Sequence, residues 1–81
     1  MRVHVRFFAS LRETAGRDSF TLELPEGATP ADAWSRLVAE LPGLAPRRAS
    51  LSAAVNRRYA SFDSPLADGD ELVFIPPVSG G

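Results

Sequence analysis

With 81 residues, ten acidic against nine basic side chains and a formal net charge of −1, the chain excludes several classes of protein at the outset. There is no basic field to draw a phosphate backbone, so nucleic-acid binding is not expected, and no apolar run approaches the length that spans a membrane. A single small domain is the natural reading, with only about 60 to 65% of the unfolded surface buried on folding, so every apolar stripe has to be used.

Residue types that are missing narrow the chemistry further. No cysteine is present, which removes a disulfide framework, a thiolate nucleophile and any persulfide held on a side chain. All nine cations are arginine. Without lysine the chain has no Schiff-base residue, no phosphate-binding lysine of the P-loop kind and no side-chain acceptor for an isopeptide bond. No signal peptide is visible, and a cytoplasmic protein is expected.

Residues 2–8 alternate and are rich in β-branched and aromatic types, which predicts a strand with Val3, Val5 and Phe7 toward the core and His4, Arg6 and Phe8 outward. An aromatic side chain at the end of an outward row marks Phe8, either as rim packing or as a binding anchor. His4 reads as a solvated residue, and with no second histidine and no cysteine no metal site is expected. Ala9 to Ala15 predicts a short helix, with Ser10 available as a cap, Glu13 three residues later and Gly16 at the position after the helix that favours positive φ. Asp18 to Leu24 resumes alternation with Phe20, Leu22 and Leu24 inward, a second strand expected to run antiparallel to the first.

Thr29-Pro30-Ala31-Asp32 is a helix start, with Thr29 as N-cap, Pro30 where its missing donor costs nothing, and Asp32 near the positive end of the helix dipole. Trp34, Leu37, Val38 and Leu41 follow at helical spacing with Ser35, Arg36 and Glu40 opposite, which describes a helix laid across a sheet and stopped by Pro42-Gly43. Leu44 to Leu51 reads as loop carrying at most a helical turn. The arginine pairs at 47/48 and 57/58 read as solvated faces or, alternatively, as contacts to an acidic partner surface. Ser52 to Asn56 predicts a short buried strand, Asn56-Arg57 a turn, and Arg58 to Phe62 an edge strand carrying Tyr59. Ser64-Pro65-Leu66 and Asp68-Gly69 are turn chemistry. Asp70 to Ile75 is the last strand, with Leu72 and Phe74 on one face and Glu71, Val73 and Ile75 on the other.

Pro76-Pro77-Val78-Ser79-Gly80-Gly81 closes the sequence. Two prolines fix φ near −65° and remove two donors, so the last strand is expected to stop there and the chain to leave the body extended. Six extended residues reach roughly 20 Å, far enough to enter a partner's active site while the body docks outside. Gly80 and Gly81 would then offer a carboxylate with no side chain beside it, thin enough for a narrow channel. A bare Gly-Gly end is also what a frayed terminus or an expression scar looks like. The expected organisation is a folded domain over residues 1–75 and an extended tail over 76–81, with Phe8 and Ile75 as exposed apolar residues beside the tail.

With the short first helix taken as a connector, the order strand, strand, helix, strand, strand, strand predicts an α+β domain, a mixed sheet with one main helix packed across one face, similar to the ubiquitin-like β-grasp. Val5-Arg6-Phe7-Phe8-Ala9-Ser10-Leu11-Arg12-Glu13, Ala54-Val55-Asn56, Leu66-Ala67-Asp68-Gly69-Asp70-Glu71-Leu72 and Phe74-Ile75-Pro76-Pro77-Val78-Ser79-Gly80-Gly81 resemble the small subunit of molybdopterin synthase, the MoaD family. The match spans nearly the whole chain in order, and the Pro-Pro-Val-Ser-Gly-Gly ending is its most specific part.

This resemblance implies a sulfur carrier that binds no cofactor of its own. An adenylating enzyme similar to those that activate ubiquitin would use ATP to convert the Gly81 carboxylate to an acyl-adenylate, and sulfur from a persulfide donor would displace AMP and leave a thiocarboxylate. The large subunit of molybdopterin synthase, which holds the active site, would accept the tail and pass sulfur to a pterin precursor. By the same resemblance Phe8, Tyr59 and Ile75 form the partner-binding surface, followed by Pro76, Pro77, Val78 and Ser79, and a heterotetramer of two small and two large subunits is implied. Arg57-Arg58 stands where the family often has a polar pair. Carriers for thiamin, cysteine or tRNA thiolation share the fold and the Gly-Gly end, though the double proline and Val-Ser weigh against them. The remaining alternatives are a protein modifier conjugated through Gly81 and a β-grasp interaction module whose tail is idle.

Overall fold

The computed structural model describes residues 1–77, so the expectations placed on Val78, Ser79, Gly80 and Gly81 lie outside the described residues. In chain order they form β1 (Arg2–Phe7), α1 (Ala9–Ala15), β2 (Ser19–Glu23), α2 (Pro30–Glu40), a 3₁₀ helix (Pro42–Ser50), β3 (Ser52–Val55), β4 (Arg58–Ala60) and β5 (Glu71–Ile75). The five strands make one mixed sheet in the order β2-β1-β5-β3-β4. β1 and β5 run parallel, and the β1–β2, β3–β5 and β3–β4 pairs are antiparallel. This is the α+β arrangement expected from the sequence.

Alternation decides which face each strand buries. Val3, Val5 and Phe7 of β1 and Leu72 and Phe74 of β5 are almost wholly buried on one side, where Trp34 and Leu37 of α2 cover them. Trp34 meets Phe74 edge-to-face at 5.0 Å between centroids, the arrangement that aromatic quadrupoles favour. α2 begins as its sequence predicts: Thr29 accepts from the Asp32 N–H while the Asp32 carboxylate accepts from the Thr29 N–H, a reciprocal capping box.

Three local expectations are corrected. α1 has Phe8, not Ser10, at its N-cap and no side-chain cap; Ser10 lies inside the helix, where its hydroxyl accepts from the Arg47 guanidinium. Gly16 does close the helix in the left-handed region at φ 74°. The stretch after α2 is ordered as a nine-residue 3₁₀ helix, anchored by the fully buried Leu44 and tied to α1 by Arg47, which also donates to Thr14 Oγ1 at 3.0 Å. β4 stops at Ala60, because Phe62 turns under the sheet to stack on Phe74 at 5.8 Å. Arg48 then covers the Phe62 ring at 3.5 Å. The Arg47/Arg48 pair is therefore absorbed by the fold and does not form a free basic face.

No helix among the described residues is long and apolar enough to cross a membrane.

Candidate docking face and the tail junction

The sheet face opposite α2 carries the outward rows of β1, β5, β3 and β4. Pairing places Tyr59 beside Ala54, Ala54 beside Val73, and Val73 beside Arg6, a single rung across four strands. Phe8 stands at the end of the β1 row, and Ile75 at the end of the β5 row pairs with Ser52. Together Arg6, Phe8, Ala54, Arg57, Tyr59, Glu71, Val73 and Ile75 line an open hollow of about 520 Å³. Phe8 is 47% and Tyr59 79% exposed, the two large apolar side chains left in water among the described residues.

The three residues marked from the sequence thus come together, and the structure adds Val73 and Ala54 as the floor between them. Alternation had already turned Val73 outward. Ala54 was hidden because a short strand of small residues shows no alternation, although its pairing with Tyr59 makes it the floor of the rung. Polar residues sit around the floor. Arg6 pairs with Glu71 at 3.7 Å and lies 5.6 Å from the Phe8 ring centroid, an exposed contact that organises the rim but adds little stability. Pro76 follows Ile75 directly and ends β5, so the chain leaves the sheet at the margin of the hollow.

The rim is held in shape by Asn56. Its Oδ1 accepts from the Glu71 N–H at 3.0 Å, its Nδ2 donates to Asp70 Oδ1 at 2.8 Å, and its own N–H donates to the Glu71 carbonyl at 2.8 Å. Asp70 also accepts from the Ala67 N–H, while Asp68 accepts from the Arg2 N–H. These carboxylates explain the Asp-Gly-Asp-Glu stretch as a clamp on the start of β5. No group of three His, Asp or Glu side chains among the described residues is placed to hold a metal, and His4 Nδ1 lies 3.4 Å from Thr21 Oγ1.

The model of the ThiS family matches residues 5–81 of this sequence. The chain belongs to the ThiS family. Among relatives, the molybdopterin synthase sulfur carrier subunit of Escherichia coli is 39% identical over 88 residues, covering 98% of this chain and 99% of its own. Among solved structures, SAMP1 of Haloferax volcanii, a small archaeal modifier protein, superposes with a TM-score of 0.91 at 31% identity, over the full length of both chains. A chain of the complex of subunits 1 and 2 of the molybdopterin-converting factor of Helicobacter pylori superposes with a TM-score of 0.70 at 27% identity, again over both full chains. The resemblance read from the sequence is borne out by these relatives, and the ThiS-family fold is the β-grasp it implied.

Within this ThiS-family chain, the residues of the sequence motifs divide among face, clamp and core. Arg6 and Phe8 of the first motif and Ile75 and Pro76 of the last lie on the candidate docking face or at its exit, while Val5, Phe7 and Phe74 are buried on the face that α2 covers. Asn56 and the Ala67 to Glu71 stretch shape the clamp that ties the β3–β4 turn to the start of β5, while Ala54 belongs to the floor and Leu66 and Leu72 to the core.

Proposed function

We propose that this chain is the sulfur carrier subunit of a molybdopterin synthase, with Gly81 as the atom-bearing end and the Phe8, Tyr59 and Ile75 face as its docking surface. The observation that carries the reading is the convergence of these three apolar side chains at the point where β5 gives way to Pro76, in a chain that belongs to the ThiS family. An exposed apolar floor with a polar rim is the form that a protein-binding patch takes.

The chemistry follows from the weakness of a carboxylate as an electrophile. Attack of the Gly81 carboxylate on ATP, on an adenylating enzyme, releases pyrophosphate and gives an acyl-adenylate whose AMP is a good leaving group. The terminal sulfur of a persulfide donor displaces AMP, and a thiol cleaves the resulting S–S bond, leaving a thiocarboxylate on Gly81 and carrying away the oxidised sulfur as a disulfide. A thioacid is ionised and nucleophilic near neutral pH, so the product is ready to react. With no cysteine in the chain, the terminus is the position at which it can hold sulfur covalently. Pro76 to Ser79 serve as the spacer, and Gly80 and Gly81 thread the active site of the large subunit, which carries out the transfer to the pterin precursor. The setting is the cytoplasm, where the donor and both partners would be found.

Likeness to an archaeal modifier protein supports a second reading, in which Gly81 is joined to lysines of target proteins. Intact mass of the chain isolated from its own host separates the two. A gain equal to replacing one oxygen by sulfur is the carrier's result; a ladder of protein adducts is the modifier's; an unmodified chain whose loss of Gly81 has no consequence contradicts both.

A further inference from the structure

We propose that Arg57 is a specificity residue of the docking face, seated against a carboxylate of the partner protein; this rests on the docking reading above. Three observations on this one residue carry it. First, Arg57 lines the hollow beside Tyr59 and Val73, at the edge of the apolar floor. Second, Arg6, the other cation of the hollow, is matched within the chain by Glu71, whereas no ion pair or side-chain hydrogen bond is found for Arg57 among the described residues. Among the described residues the hollow therefore presents one unmatched positive charge, on a molecule whose net charge is −1. An acidic group on the partner fits that charge, and a basic one is repelled.

Third, the backbone at Arg57 is in a conformation that its side chain opposes. Asn56 and Arg57 are the two central residues of the hairpin between β3 and β4, with φ of 50° and 71°. Positive φ at both centres is the hairpin turn for which Asn-Gly is the preferred pair. Asparagine stands at the first position, but the second holds a long cation where glycine relieves the strain. The turn disfavours this residue, and among the described residues no ion pair or hydrogen bond within the fold offsets that strain, so the side chain's use lies outside the fold.

Arg57→Gly and Arg57→Glu, with Arg36→Glu as a charge-matched control on the exposed side of α2, test this against the large molybdopterin synthase subunit from the same host. Association and dissociation rates are measured at low and at high salt. Arg57→Gly is expected to melt at or above the temperature of the unaltered chain and to bind several-fold more weakly. Arg57→Glu is expected to slow association about tenfold at low salt, with the deficit shrinking as salt screens the pair, while Arg36→Glu binds as the unaltered chain does. Unchanged binding by both Arg57 variants, with Phe8→Arg still disruptive, overturns the inference and leaves the docking face standing. Equal losses from Arg57→Glu and Arg36→Glu also overturn it, since that reports net charge alone. Undiminished binding by Phe8→Arg itself instead overturns the docking reading on which the inference rests.

Discussion

Asn56 shows how one side chain can set the geometry of a face it does not line. It sits at positive φ, which asparagine tolerates better than most residues, and joins the β3–β4 turn to the start of β5 through its amide. Asn56→Ala removes both side-chain bonds and leaves a Cβ in a strained backbone. We expect a loss of about 1 to 2 kcal/mol in urea denaturation; a change of only a few tenths would contradict the clamp. Phe8 belongs to the other class of residue, exposed and unneeded by the core. Phe8→Arg should leave the melting transition nearly unchanged and weaken partner binding at least tenfold, and unfolding of the variant would mean that the ring supports the core after all. Phe8 and Ile75 were legible because strand alternation fixes direction. The role of Asn56 was not, because its partners lie 14 and 15 residues away and no local pattern connects them.

At the level of elements, legibility followed how local the determining physics is. The α2 start was written in four consecutive residues, and the capping box forms as those residues require. Thr29→Ala should therefore cost about 1 kcal/mol of stability, measured by thermal or chemical unfolding. The 3₁₀ helix was not written locally: Pro42, Gly43 and Pro46 read as breakers, and order is imposed by burial of Leu44 and by Arg47 reaching back to α1. The same tertiary reach gives Arg47 and Arg48 partners within the fold, although both stay partly exposed. Replacing both by alanine should lower stability by about 1 kcal/mol, from a lost cation–π contact and exposed hydrogen bonds, while partner affinity stays as it was. A loss of affinity with no loss of stability would place a second docking surface on the 3₁₀ helix. Phe62 was assigned to the edge strand for a related reason, since its pattern suits a strand but the core offers it the face of Phe74.

Across the whole molecule, the sheet separates two tasks. One face is closed by α2 and provides the fold's stability; the other is left open, with Tyr59, Val73, Phe8 and Ile75 at its surface and the tail leaving from its edge. Such a division lets a small domain place nearly all of its core on one side and leave the other free for the proposed docking patch. The proposed tail chemistry makes its own demands. Gly80→Leu should block sulfur transfer with partner affinity largely retained, since the docking face is intact while the threading end is too wide, and full transfer by that variant would argue against a narrow channel. The central claim, that the chain carries sulfur for molybdopterin synthesis, is tested most directly by reconstitution: the purified thiocarboxylated chain is mixed with the large subunit and the pterin precursor, and formation of the dithiolene product is followed together with the mass of the chain. The account predicts conversion of the precursor matched by return of the chain to its unmodified mass; a thiocarboxylate that persists undiminished, with no product formed, would contradict it.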